Sequence, residues 1–290
     1  MKNTLHMNTT LVGLIGHPIR QTLSPFIHNV AFDIKKLDYL YLPFDVPAAN
    51  LNNAVKGMVA LGMKGFNVTI PHKVNIMQLL NNVSDEADGV GAVNTVVNDM
   101  GRLSGHNTDV YGILKSLEEY KDDLTGKMVT VIGAGGSARA VIYTLIKYFK
   151  PESVNIVNRT LQKTDSLMRY FSEKMKYEKI NCYELFPENL NEVLQNSALI
   201  VNATPVGMYP ESDDSVVQPE NFFSKGQIVF DLVYNPFRTK FLKTAAKKGA
   251  RVVQGTKMLV HQASKSFHLW TGEKMPEADI LRSVEMLLNN

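Results

Sequence analysis

Residues 128–140 read MVTVIGAGGSARA. The run MVTVIG (128–133) is apolar and β-branched and spells a short buried strand. The residues after it, SARAVIYTLIKYF, carry apolar side chains at helical spacing. Between them Gly133, Gly135 and Ala138 fit the pattern G-x-G-x-x-A at a strand-to-helix turn. The first glycine permits the tight turn. The second lets the backbone approach a pyrophosphate, and the small third residue lets helix and strand pack closely. Free N–H groups at the start of the helix face the phosphates. The turn therefore predicts a dinucleotide site; the bland alternative is a glycine-rich turn that only packs.

The next strand, SVNIVN (153–158), runs into RTLQK. NAD sites usually place Asp or Glu at this point to hold the ribose 2′-OH, whereas NADP sites often place Arg there for the 2′-phosphate. No acid stands at the tip; Arg159 and Lys163 do. A guanidinium fork and an ammonium both suit a phosphate dianion. NADP is the favoured nucleotide, with NAD left open and two solvated loop charges as the plain alternative.

Outward from this turn, short apolar runs alternate with helical patterns almost throughout. Strands are expected at 10–16, 39–44, 65–70 and 92–97, then at 198–203, 227–233 and 251–255. Helices are expected after Ser24 and Pro25, over Leu51–Leu61, after Pro71 to about Leu80, from Asp109, over 239–249, and twice in the C-terminal stretch. Ser24 is a candidate N-cap with Pro25 at the first helical position. Strands joined by crossover helices favour parallel sheets. The fold class is α/β in two domains, residues 1–112 and 113–255, with the C-terminal helices of 256–290 completing the first. The length of 290 residues fits about two domains.

Composition narrows the function. Charged residues are 20% and the net charge is +3, with no basic block, so nothing argues for nucleic acid. One cysteine, Cys182, rules out an intrachain disulfide and fits a reducing cytoplasm. No apolar run of about 18 residues exists to cross a membrane, and the N-terminus lacks the pattern of a signal peptide. The seven histidines show no metal-ligand spacing, and no G-x-S-x-G elbow is present. No metal is expected.

Small polar residues gather at the ends of the strands of the first block, where α/β sheets bind ligands. Thr22 and Ser24 follow the first strand. Asn67, Thr69 and Lys73 lie at and past the third, in NVTIPHK (67–73). Asn94 and Thr95 interrupt AVNTVV, and Asn107 and Asp109 lie in GHNTD. Each has a bland reading: a cap for Ser24 or Asp109, a bulge for Asn94, a surface charge for Lys73. Together, hydroxyls, amides, one amine and one carboxylate suit a small polyhydroxylated acid.

With these motifs in hand the sequence resembles the shikimate dehydrogenase family, quinate/shikimate dehydrogenases included. The resemblance covers GHPIRQTLSPFIHN (16–29), GFNVTIPHK (65–73), GAVNT (91–95), GHNTDVYG (105–112), IGAGGSARA (132–140), NRT (158–160), NATPVGM (202–208), DLVYNP (231–236) and GTKMLVHQASKSFHLWTG (255–272). It implies a substrate domain, a Rossmann domain, and reversible NADPH-dependent reduction of 3-dehydroshikimate to shikimate in chorismate biosynthesis. It implies Lys73 and Asp109 as the catalytic pair. Thr22 and Ser24 become carboxylate contacts, and Asn67, Thr69, Asn94, Asn107, Tyr234 and Gln262 the rest of the pocket. Gly133, Ala134, Gly135, Gly136, Ser137, Asn158, Arg159, Thr160, Lys163, Thr204, Leu232 and Gly255 become the nucleotide side. A homodimer is left open.

Three positions depart from the family's usual pattern. Thr22 stands where serine is usual, Pro205 follows NAT where many members have serine, and His72 replaces the commoner aromatic. Thr22 and His72 bear on substrate choice and leave quinate open. A quinate/shikimate dehydrogenase and, in a different class, a non-catalytic NADP-binding regulator are the competing readings.

Overall fold

The computed structural model describes residues 6–19, 22–185, 190–217 and 222–289. Arg20 and Gln21 of the GHPIRQTLSPFIHN stretch lie outside the described residues. Among those described, twelve strands form two six-stranded sheets, one in each of two compact units. The first unit holds the residues up to Gly112 together with Val260–Val284, and the second holds Ile113–Leu259 with the residues from Glu285.

The first sheet contains β1 (Thr10–Gly16), β2 (Tyr39–Asp45), β3 (Gly65–Val68), β4 (Asn82–Val83), β5 (Thr95–Asp99) and β6 (Arg102–His106), ordered β2-β1-β3-β5-β6-β4. It is not the all-parallel sheet that the strand–helix alternation predicts. β5 runs antiparallel to both β3 and β6. The cause is a two-residue hairpin loop, Met100–Gly101, with φ of 47° and 89°. Positive φ at both central positions matches the right-handed twist of the flanking strands. Asn98 Oδ1 accepts the Gly101 N–H at 2.8 Å and ties the loop down.

The second sheet contains β7 (Met128–Ile132), β8 (Ser153–Asn158), β9 (Ile180–Glu184), β10 (Leu199–Asn202), β11 (Ile228–Asp231) and β12 (Arg251–Val253). Every pairing is parallel, in the order β12-β11-β10-β7-β8-β9. This is the doubly wound dinucleotide-binding order, whose direction of winding reverses between β7 and β10. Its central strands are buried on both faces, as the continuous apolar runs require.

Local signals account for most boundaries, with three corrections. The helix Ser24–Lys35 begins at Ser24 with Leu23 in the capping position, so Ser24 is not the cap. The helix expected after Pro71 is only the 3-10 turn Asn75–Leu79. The Lys73 carbonyl, which would start that helix, instead accepts the Val93 N–H at 2.7 Å. β4, β6 and β9 are strands that the apolar runs do not announce.

The helix Gly255–Thr271 closes the first unit by pushing Phe267 against Phe32 and Trp270 against the sheet. Trp270 Nε1 donates to the Val96 carbonyl at 3.0 Å, directly over Gly65. A Cβ at Gly65 would collide with both the indole nitrogen and that carbonyl. Gly65→Ala should therefore lower the unfolding free energy by about 3 kcal/mol, since overpacking and a lost buried hydrogen bond add. Urea unfolding checks this; a loss below about 1 kcal/mol would contradict the close approach as a constraint.

Candidate active site

Register builds the first half of the site. Across the sheet Leu14 pairs with Asn67, Asn67 with Thr95, and Thr95 with His106. This row lies at the carboxyl ends of β1, β3 and β6, and the next residues out are the polar ones. Asn94 N–H donates to the His106 carbonyl at 3.0 Å and Val68 N–H to the Asn94 carbonyl at 2.8 Å. Asn107, Thr108 and Asp109 then leave β6 and enter the helix Thr108–Leu117.

Lys73 and Asp109 meet here. Lys73 Nζ lies 2.7 Å from Asp109 Oδ2, with the two side chains only 11% and 5% exposed. Asp109 Oδ1 accepts from Asn94 Nδ2 at 2.8 Å. Asn94 Oδ1 in turn accepts the Thr108 backbone N–H at 2.7 Å, which settles which way its amide faces. A buried ion pair survives only when its remaining lone pairs and protons are satisfied, and Asn94 supplies that to the carboxylate.

The other residues fall in three groups. Asn67 joins the cluster through bonds from Nδ2 to Thr95 Oγ1 at 2.9 Å and Ser266 Oγ at 3.0 Å, while its Oδ1 accepts from Tyr41 OH at 2.8 Å. Gln262 reaches it through Thr108 at 3.5 Å. Asn107 donates to the Ala92 carbonyl at 2.8 Å and leaves its Oδ1 buried without a partner. Thr69 takes the His72 N–H on its carbonyl, which shapes the turn before Lys73. Thr22 Oγ1 accepts the Ser24 N–H at 3.3 Å, and Ser24 spends no side-chain bond on capping. Tyr234 lies in the second unit. Tyr41, Thr108 and Ser266 are not singled out by the sequence. Ser266 alone carries a signal, a small polar residue four after Gln262 on an otherwise apolar helical stripe.

In the second unit the residues expected to meet a nucleotide follow the carboxyl ends of the strands. Gly133 follows β7 with φ 120°, and a Cβ there would stand 3.0 Å from the Ala203 carbonyl oxygen. Gly135 caps the helix Gly136–Thr144 and has open space where a Cβ would be, so a ligand can approach its backbone. Asn158 ends β8, and Arg159, Thr160 and Lys163 follow it on the surface. Arg159 and Lys163 have no ion-pair partner among the described residues. Thr204 and Leu232 follow β10 and β11, and both bond Asn202: Thr204 Oγ1 donates to its Oδ1 at 2.7 Å and Leu232 N–H to its carbonyl at 3.0 Å. At Gly255 a Cβ would lie 2.6 Å from the Val233 carbonyl oxygen, so only glycine lets the helix start there.

Beneath these loops Asp231 is fully buried. It accepts from Asn202 Nδ2 at 2.9 Å, Val233 N–H at 3.0 Å and Thr239 Oγ1 at 2.7 Å. Burial outweighs the three donors and pushes its carboxyl up to about 7. Among the described residues no group of three His, Cys, Asp or Glu side chains could hold a metal ion, and no helix is long and apolar enough to cross a membrane.

A doubly wound nucleotide unit joined in one chain to an α/β unit that carries a buried lysine–aspartate pair defines an NAD(P)-linked oxidoreductase class. Comparison narrows the class. Three family descriptions match in chain order: the shikimate dehydrogenase substrate binding domain over residues 14–96, shikimate/quinate 5-dehydrogenase over 115–232, and the shikimate 5′-dehydrogenase C-terminal domain over 255–285. A shikimate dehydrogenase (NADP+) of Caldanaerobacter subterraneus subsp. tengcongensis is 46% identical over 91% of this chain and 92% of its own length. A solved shikimate dehydrogenase in complex with NADP+ superposes with a TM-score of 0.90 at 36% identity, covering 99% of this chain and 98% of the other. A shikimate 5-dehydrogenase from Listeria monocytogenes, in complex with shikimate and NAD, gives 0.85 at 35% identity, covering 99% of each. The chain belongs to the shikimate dehydrogenase family.

Asp231 yields a stability prediction with a definite sign. Its folded-state value is raised, so its penalty on the fold is absent below the unfolded-state value of about 4 and grows until about pH 7. An asparagine at this position would mimic the neutral acid, its amide donating to Thr239 where the ionised carboxylate accepts. The Tm difference, Asp231→Asn minus the native protein, should thus rise between pH 5 and pH 8. Thermal melts at the two pH values check it, and a flat or falling difference would contradict the burial account.

Proposed function

We propose that the protein is an NADP-dependent shikimate dehydrogenase in which the first unit takes the substrate, the second takes the nucleotide, and Lys73 and Asp109 handle the proton. The observation that carries the catalytic assignment is the braced pair itself: an amine and a carboxylate 2.7 Å apart, largely shielded from water, at the carboxyl end of a sheet. Burying both charges is costly, and a purely structural role could be filled by apolar side chains at less cost.

The residues of the second unit fit a dinucleotide. The Gly133 turn has no room for a side chain, the Gly135 backbone is open, and the helix behind it presents free N–H groups for a pyrophosphate. Arg159 and Lys163 suit a 2′-phosphate better than a 2′-hydroxyl, and no acid competes at the tip of β8. When bound, the cofactor supplies a hydride to the carbon of the ring ketone. Lys73 Nζ then gives one proton to the ketone oxygen as its negative charge forms, so the carbonyl gains one hydride and one proton and becomes the hydroxyl. Asp109 keeps the amine aimed, and in the reverse direction the neutral Lys73 amine takes the hydroxyl proton as the hydride leaves the carbon. Thr22 and Ser24 meet the carboxylate, with the remaining polar side chains of the first unit around the ring hydroxyls. Cys182, a lone free thiol, supports a reducing cytoplasmic setting.

Steady-state rates with shikimate and quinate, each with NADP+ and NAD+, test the reading. The pair shikimate and NADP+ should give the highest kcat/KM; absence of turnover with both acids would favour a nucleotide-binding regulator. Lys73→Ala should lower kcat about a thousandfold with a much smaller change in KM, the scale of a lost general acid–base group. An active variant would remove Lys73 from the chemistry. Arg159→Ser should raise the KM for NADP+ about tenfold or more while leaving that for NAD+ nearly unchanged, because only the former loses a charge-assisted bond.

A further inference from the structure

We propose that the hydroxyl junction of Thr95, Thr108 and Ser266 is a positioning element for the reaction, with Ser266 as its pivot; this rests on the assignment of Lys73 and Asp109 to the proton transfer. The three side chains are almost completely buried and come from three separate elements: β5, the start of the helix Thr108–Leu117, and the helix Gly255–Thr271. Their oxygens lie 2.8 Å (Thr95 to Ser266), 3.0 Å (Thr108 to Ser266) and 3.1 Å (Thr95 to Thr108) apart.

The groups around the junction fix the amide of Asn94 and are consistent with one closed arrangement of the hydroxyl protons. Asn94 must turn its Nδ2 toward the Asp109 carboxylate, since its Oδ1 is fixed by the Thr108 backbone N–H. The same Nδ2 donates its second proton to Thr108 Oγ1 at 3.0 Å. In that arrangement Thr108, an acceptor from Asn94, gives its own proton to Ser266 at 3.0 Å. Ser266 passes its proton to the Gln262 carbonyl at 3.1 Å, one helical turn back. On the other side Asn67 Nδ2 donates to Thr95 and to Ser266, and Thr95 returns a proton to Asn94 Oδ1 at 3.0 Å. The loop closes with every hydroxyl proton used once, which a buried polar network needs if it is not to destabilise the fold.

Ser266 is where the loop is most easily undone. It accepts from both Thr108 and Asn67 and is the junction's member on the C-terminal helix. Without its hydroxyl, Thr108 can turn its proton to Asn94 Oδ1, 3.1 Å away, and compete with the backbone N–H that holds the amide. Asn94 is then less firmly held against Asp109, and the Lys73 amine loses the fixed carboxylate that aims it. Chemistry requires that aim, whereas the carboxylate contacts Thr22 and Ser24 and the residues of the second unit lie outside the junction, so ground-state binding changes less than the chemical step.

The test is Ser266→Ala, assayed with shikimate and NADP+ at a temperature well below the Tm of the variant. The expected result is a kcat about tenfold lower, the scale of one buried hydrogen bond, with both KM values within about twofold of native. Ser266→Thr, which keeps the hydroxyl, should recover most of the kcat. The matched comparison is Ser197→Ala. It removes an equally buried hydroxyl, bonded to Thr130 at 2.7 Å in the second unit, and should lower Tm without lowering kcat. A kcat for Ser266→Ala within about twofold of native, or a loss confined to Tm as in Ser197→Ala, overturns the proposal. Should Ser266→Ala fail to fold, the near-isosteric Thr95→Val removes a neighbouring hydroxyl without opening a cavity, and the same thresholds apply. Lys73→Ala separates this outcome from failure of the parent assignment: full activity there removes Lys73 from the chemistry, whatever Ser266→Ala shows.

Discussion

The ion pair between Lys73 and Asp109 constrains the whole first unit. Two opposite charges 36 positions apart in sequence must be withdrawn from water together, because either one alone would be an uncompensated buried charge. Lys73 must leave β3 on a turn rather than a helix, and Asp109 must enter the first turn of a helix that starts where β6 ends. Neither condition is met by a simple strand–helix–strand repeat. The antiparallel β5–β6 hairpin meets both, since it returns the chain so that β3, β5 and β6 lie side by side. The Met100–Gly101 turn, exposed and remote from any chemistry, is therefore a structural precondition of the pair.

The second unit solves a different problem with less invention. An anion must be met by backbone N–H groups, so the chain must approach closely and side chains must be absent at the point of approach. Gly133 lies against Ala203, and Gly255 against three successive carbonyls. These contacts fix the ends of β7, β10 and β11 relative to one another. Asp231 ties the same ends together from below through Asn202 and Thr239. Its burial raises the cost of ionisation and pushes its carboxyl up to about 7, so the loops that follow β10 and β11 rest on a group that burial and three donors pull in opposite directions.

The second unit is legible in the sequence because its rules are local. A strand of β-branched residues, glycines at fixed offsets and a small residue for helix packing follow from steric requirements within about ten residues, and each appears in the structure where the pattern puts it. The first unit is legible in its ingredients and not in its wiring. Lys73, Asn94 and Asp109 stand out as polar residues in apolar surroundings. The antiparallel hairpin does not, because a two-residue turn flanked by short strands competes with the stronger reading of an apolar run ending at a loop. Ser24 reads as a cap since serine before proline usually is one; its helix simply starts a residue earlier. Tyr41 carries no signal in the sequence, and Ser266 only the faint one of a small polar residue on an apolar helical stripe. Their side-chain partners are 26 and 158 or more residues away, and only tertiary pairing gives a lone hydroxyl a role.

Two histidines border the polar network of the first unit, and neither disturbs its protons near neutral pH. His28 is stacked face to face on Tyr41 with ring centroids 4.5 Å apart, and complete burial lowers its pKa to about 3. His106 pairs in register with Thr95, and burial, then the charge of Lys265, lowers it as well. Both stay neutral at neutral pH. His28 gives up hydrogen bonding on both ring nitrogens to do so, a cost that burial of a large aromatic cluster with Phe32 and Trp270 offsets. The consequence reaches Asn67: the ring that holds Tyr41 carries no charge, so the Tyr41 hydroxyl donates to Asn67 in an unchanging field. The orientation of the Asn94 amide beside it follows from the two groups it bridges, the Thr108 backbone N–H and the Asp109 carboxylate.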